Sequence, residues 1–272
     1  MKYGRFSFVL AVIAILVIIG GALTIFSHKD NDVATNSSSS QVSSTTKTSS
    51  KAKTIAPIKA GTENARLLLV VNKKHPLPAD YNPYNGSTPD NNADGSGLMP
   101  AADKAKTKLI TAMQHAGFAI SNNISGFRAY PYQKALYDNY VASQGKEQAD
   151  TFSARPGYSE HQSGLAFDLL GTDGQLPTND AMYEWLQQHA HEYGFIIRYP
   201  RGESNITGYE GEEWHMRYIG VENATEMFNK KITTLEEFTG VPGGDYNQNA
   251  SQDIAALDEY NQNNQHFLNP RK

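Results

Sequence analysis

The sequence predicts a single α+β domain over residues 64–240, a small antiparallel sheet flanked by helices, preceded by one transmembrane helix and an unstructured linker. Three observations lead there. Apolar runs of strand length are mixed with helix-length amphipathic segments, no internal repeat is visible, and the first sixty residues are either continuously apolar or strongly polar. The 24 basic and 28 acidic side chains give a net charge of −4, too mild a balance to point to a nucleic-acid partner. Cysteine is absent, which removes disulfides, thiolate metal sites and cysteine nucleophiles, and leaves histidines and carboxylates to hold any metal.

From the N-terminus, Lys2 and Arg5 precede a run without charge from Phe6 to Phe26, long enough at about 1.5 Å per residue to span a bilayer. Residues 1–30 are therefore expected to be an uncleaved signal anchor, with the body exported by the positive-inside rule. A cleaved signal peptide and a secreted body is the alternative, although Gly20-Gly21-Ala22 is followed by further apolar residues rather than a cleavage boundary. Residues 31–60 form the linker: between Thr35 and Ser50, twelve of sixteen residues are Ser or Thr, too little apolar surface to offset ordering. Such a coil reaches about 30 Å on average, so the body would work off the membrane in the cell envelope.

Leu67 to Val71 reads as a buried strand, and Ala101 to Gly117 as a helix with a glycine stop. Ile124 to Arg128 reads as a strand leading into a helix over Pro131–Ser143, where proline suits the first turn. Gly157 to Leu170 is expected to be loop then strand. Thr178 to Tyr193 is expected to be a helix with Thr178 as its N-cap and Gly194 as its stop. Phe195–Arg198 and Trp214–Ile219 read as strands, Val221–Lys230 and Leu235–Phe238 as short helices, and residues 241–272 as a polar, weakly ordered tail.

Of the eight histidines, His161 and His215 have carboxylates at useful spacing: Asp168 after the first, Glu212 and Glu213 before the second. Two imidazoles and one carboxylate would leave a zinc ion one open position, the arrangement of a hydrolytic site. Spacing alone leaves a core or surface role open for each, because the compact H-E-x-x-H helix signature is missing.

Taken in order, Ser125-Gly126-Phe127-Arg128, Ser159-x-His161-x-x-Gly164-x-Ala166-x-Asp168, Glu184-Trp185-Leu186, Tyr193 to Pro200 and Glu212-x-Trp214-His215-x-Arg217-Tyr218 form a longer pattern. It resembles the VanY-like D-alanyl-D-alanine carboxypeptidases, a zinc family that includes peptidoglycan L,D-carboxypeptidases and D,D-dipeptidases, over Leu67 to Glu237. The resemblance implies a zinc-peptidase domain with one Zn2+ held by His161, Asp168 and His215, and with Glu212 as the base. It implies that Arg128 polarises the scissile carbonyl or holds the substrate carboxylate, and that Gln133, Ser159 and Tyr209 contact substrate. Glu213 stands where the family often has proline and is expected to face solvent, while Trp214 and Arg217 are expected to pack and orient the strand.

The expected substrate is the peptidoglycan stem peptide, losing a C-terminal D-alanine, and the expected unit is a monomer. L,D-cleavage of tetrapeptide stems is the alternative, and a non-catalytic wall-binding module is a further one. The retained Glu212 beside an open metal position argues against that module.

Overall fold

The computed structural model describes residues 63–84 and 96–247. The expected span 6–26, the linker 31–60 and most of the tail lie outside the described residues. Among the described residues, no helix is long and apolar enough to cross a membrane.

The elements run α1 (Glu63–Leu67), α2 (Pro100–His115), β1 (Ile120–Ser125), α3 (Tyr130–Gln144), α4 (Lys146–Phe152), β2 (Ala166–Gly171), α5 (Asp180–His189), β3 (Phe195–Tyr199), α6 (Ser204–Thr207), β4 (Glu212–Tyr218), α7 (Val221–Lys230) and α8 (Leu235–Thr239). The sheet has the order β1-β2-β4-β3, and each neighbouring pair is antiparallel. The main core lies on one face of it, where α2 and α5 set Leu109, Ile110, Met113, Met182 and Leu186 against Phe167, Leu169, Phe195 and Met216. Side chains alternate along a strand, so Asp168, between Phe167 and Leu169, faces the other way. A second cluster joins Leu68 and Val70 to α7 and α8 through Ile219, Met227 and Phe238.

The helices start and stop largely where side-chain chemistry places them. Pro100 and Pro131 occupy first turns, where a missing N–H costs nothing. The N-cap of α5 is Asn179 rather than Thr178: its side chain accepts the Met182 N–H at 3.0 Å. This helix ends at His189 and tightens into a 3-10 turn over Ala190–Tyr193 before Gly194 takes the left-handed conformation. The α4 helix is an addition that the sequence pattern did not single out.

Two further expectations, about the path of the chain, need correction. Leu68 to Val71 is buried but pairs with no strand of the sheet. Arg217 Nη2 donates to the carbonyls of Leu67 and Leu69 at 2.9 and 2.7 Å, so a guanidinium meets acceptors that a neighbouring strand would otherwise meet. The segment after Gly240 stays packed on the domain at least as far as Tyr246, with Asn72 Nδ2 donating to the Pro242 carbonyl and Gly244 N–H to the Ile206 carbonyl.

Candidate metal and catalytic site

The face of the sheet opposite the main core carries a row of polar residues. Ser125 on β1 lies opposite Asp168 on β2, which lies opposite His215 on β4, so three strands bring the row together without help from any loop. His161 comes from a 3-10 turn, Glu160–Ser163, that leads into β2. Gly164 then turns the chain with φ of 70°, and a Cβ there would come within 3.0 Å of the Tyr84 hydroxyl and 3.3 Å of Met99. The turn and the close packing both favour glycine.

Glu212 and His215 are three apart on β4, a spacing that puts side chains on opposite faces of a regular strand. The pairing with β3 is irregular here: Ile197 opposes Met216 while Tyr199 opposes Glu212, leaving two extra residues on β4. That bulge breaks the alternation, and Glu212 Oε2 lies 3.3 Å from His215 Nδ1.

His161, Asp168 and His215 are all buried, and they present donor atoms within 4.8 Å of one another. Asp168 Oδ1 lies 3.3 Å from His161 Nε2 and 3.2 Å from His215 Nδ1. Ligands at zinc distances of roughly 2.0–2.1 Å in a tetrahedron are separated by about 3.3–3.4 Å, so these two separations fit that ion. Asp168 Oδ1 is also buried and accepts no hydrogen bond. A carboxylate oxygen left so inside a protein calls for a cation. These three residues could hold zinc.

The surroundings set the protonation states. Burial, followed by Arg128, lowers His161 to about 4, which keeps the imidazole neutral. Its Nδ1–H donates to the Gly126 carbonyl at 2.7 Å, so Nε2 carries the lone pair towards the site. Burial alone would raise Asp168, but His161, His215 and Arg128 hold it well below the usual carboxylate range. Burial would lower His215, yet the carboxylates of Asp168, Glu160 and Glu212 raise it well above its ordinary value. Glu212 is raised by burial, which the neighbouring His215 offsets only in part. A carboxyl shifted upward is a stronger base when ionised.

Arg128 sits directly after β1. Its Nη2 is 2.8 Å from Asp168 Oδ2 and 2.7 Å from His161 Nε2, and its Nη1 donates to Gln133 Oε1 at 3.1 Å. The structure thus brings together six of the eight residues singled out from the sequence: His161, Asp168, His215, Glu212, Arg128 and Gln133. Gln133 is buried behind Arg128, with both ends of its amide engaged, since Nε2 also donates to the Ala154 carbonyl at 2.8 Å. Ser159 is buried just before the 3-10 turn. Tyr209 is 2% exposed and packs at a tilt against Tyr199, which in turn packs against His215, so it backs the site rather than lining it. Glu213 does not face solvent: it is buried and pairs with Arg201, on the other side of the strand from Glu212.

Glu160 was missed. It is completely buried and receives Arg198 Nε at 2.7 Å and Arg217 Nη1 at 2.6 Å, while Arg198 also grips Glu236 with two hydrogen bonds. Burial alone would raise Glu160, but the two arginines hold it well below the usual range. Its Oε2 lies 3.7 Å from His215 Nε2, the ring nitrogen turned away from the donor cluster. At that distance the carboxylate acts on the imidazole through its charge, and a negative charge behind a ligating imidazole increases its basicity. The available signal was an arginine near the end of each of two strands rich in apolar and aromatic residues, Arg198 and Arg217, because a buried guanidinium requires a buried acid.

The comparisons with known proteins agree with this geometry. A family model described as VanY, D-alanyl-D-alanine carboxypeptidase, matches residues 95–221. A D-alanyl-D-alanine carboxypeptidase of Enterococcus faecalis is 32% identical over 183 residues, 65% of this chain and 67% of that one. The chain spans about two thirds of the length of the first relatives it matches. Among solved structures, the L,D-carboxypeptidase DacB from Streptococcus pneumoniae is 50% identical with a TM-score of 0.58, over 65% of this chain and 89% of that one. The vancomycin-resistance D,D-pentapeptidase VanY, solved with Zn(II), is 32% identical with a TM-score of 0.53, over 64% and 98%. Identity at these levels across nearly the whole of two solved carboxypeptidases places the chain in the VanY family of zinc-dependent D-alanyl-D-alanine carboxypeptidases.

Proposed function

We propose that this domain removes the C-terminal D-alanine from peptidoglycan stem peptides by hydrolysis. The observation that carries the reading is Glu212 beside the donor cluster: a half-buried carboxylate of raised pKa, 3.3 Å from one candidate ligand and itself outside the ligand set. A pure binding module has no use for such a base. Zinc held by His161, Asp168 and His215 would supply Lewis-acid polarisation and acidify water at the site.

The remaining chemistry belongs to the chain. Glu212 takes a proton from the attacking water, whose oxygen forms the new bond to the carbonyl carbon. As the C–N bond breaks, Glu212 returns that proton to the leaving amine of D-alanine. Arg128 supplies forked N–H donors to the substrate's carbonyl or terminal carboxylate. Gln133 holds Arg128 from behind, the Gly126 carbonyl holds the His161 imidazole, the Glu160 carboxylate faces that of His215 at 3.7 Å, and Ser159 and Tyr209 support the walls.

The D-Ala-D-Ala bond of a pentapeptide is the first candidate, in line with the family model and the Enterococcus relative. The L,D bond of a tetrapeptide is a second reading, favoured by 50% identity to an L,D-carboxypeptidase against 32% to the D,D-pentapeptidase. The run from Phe6 to Phe26 and the Ser/Thr-rich linker support anchoring of a single chain in the cell membrane, with the catalytic domain on the wall side. Incubating zinc-loaded protein with synthetic tetrapeptide and pentapeptide stems, and weighing the products, tests the function. Loss of one alanine from the pentapeptide alone supports the D,D reading, and loss from the tetrapeptide moves the assignment to L,D. No cleavage of either refutes both.

A further inference from the structure

The chain beyond α8 returns as a strap across the domain and ends its described course at the site's supporting wall. Lys73 pairs with Asp245 at 3.2 Å, and a Cβ on Gly208 would overlap the Gly244 carbonyl oxygen, so the strap lies flat on residues 206–209. Tyr246 follows. Its ring lies 3.7 Å from the Arg155 guanidinium and meets Tyr158 edge-on at 5.1 Å. Its hydroxyl accepts the Arg155 backbone N–H at 3.0 Å and lies 3.3 Å from the Tyr209 hydroxyl. Burial raises the phenol well above its ordinary range, so it keeps its proton at neutral pH.

The Arg155 N–H and the Ala154 carbonyl are two ends of one peptide group. Tyr246 holds one end, and Gln133 Nε2 donates to the other at 2.8 Å. The second end of the Gln133 amide accepts Arg128 Nη1 at 3.1 Å. If the peptide rotates, Gln133 cannot keep both partners. We infer that Tyr246 is a positioning residue: it locks the 154–155 peptide, and through Gln133 it fixes the guanidinium of Arg128. This rests on Arg128 acting in the cleavage reaction.

The test uses full-length, zinc-loaded protein and a double-mutant cycle. Tyr246→Phe keeps the ring between Arg155 and Tyr158 and removes only the hydroxyl. It should lower kcat/KM about 3- to 10-fold, the worth of one hydrogen bond in a network, with zinc content unchanged. In an Arg128→Lys background, whose ammonium cannot reproduce the fork, Tyr246→Phe should cause little further loss. Hydrogen exchange of the amides over 153–158 should become faster in Tyr246→Phe. A kcat/KM within twofold of wild type, the same fold loss in both backgrounds, or unchanged exchange would overturn the inference. Full activity of Arg128→Lys would instead overturn the role of Arg128 beneath it, which separates the two failures.

Discussion

Replacing Glu160 with Gln should destabilise the domain and weaken its hold on zinc at the same time. Four side chains that are 0–3% exposed balance two charges against two: Arg198 and Arg217 against Glu160 and Glu236. Glutamine has the same shape and keeps an acceptor at Oε1, so the geometry survives while one negative charge is lost. An uncompensated guanidinium then remains with no water to solvate it. Breaking a buried pair in this way costs about 3–5 kcal/mol. For a domain of this size each kcal/mol moves the melting temperature by about 2–4 °C, so a fall of roughly 6–20 °C is expected in calorimetry with chelator present. Behind His215, the carboxamide also replaces the carboxylate that faces Nε2, and zinc affinity should fall about 10- to 100-fold in competition with a chromophoric chelator. A metal-free variant that melts within 2 °C of wild type, by the same scale, would refute the balanced-network argument.

Glu212→Gln should bind zinc like wild type and lose about 10²–10⁴-fold in kcat, measured by release of D-alanine with parallel metal analysis. Zinc uptake at neutral pH should release about one proton, because His215 is held in its charged form by three carboxylates and must shed that proton to act as a donor; calorimetry in buffers of different ionisation enthalpy reads this number. Burial depresses His75 from 6.5 to about 4, so the unfolded chain binds the extra proton first as pH falls. Stability from this group is therefore intact above pH 6.5 and declines towards pH 4, by up to about 3 kcal/mol, and His75→Gln should flatten that part of the urea-denaturation profile.

The donor residues were legible in the sequence because each stands in a short stretch with its own pattern: a turn with small residues before Asp168, and two acids before His215. The α+β class was legible for a similar reason, since strand-length apolar runs and capped helices are local signals. What was not legible depends on contacts between distant segments. Leu67 to Val71 has the composition of a strand, but in the fold the carbonyls of Leu67 and Leu69 accept from Arg217 rather than from a neighbouring strand. Glu160 adjoins a predicted ligand, but its role comes from residues 38 and 57 positions away. Tyr246 lies in a stretch of Gly, Asp and Asn that reads as tail, and its value comes from a partner 91 residues earlier. Gln133 and Tyr209 were expected to contact substrate; both lie behind the donor cluster, and that orientation is a tertiary property.

Asp168 and His215 face each other on β2 and β4, the two inner strands of the four. Inner strands belong to the part of a protein that opens last, since fraying begins at edges and loops. Two of the three candidate ligands therefore cannot separate through a local fluctuation, and His161 alone comes from outside the sheet, on a short 3-10 turn. Metal exchange would then be governed by the mobility of that turn, giving an ion that is slow to leave even where its equilibrium affinity is modest. The enzyme would then retain its ion through kinetics rather than through affinity alone.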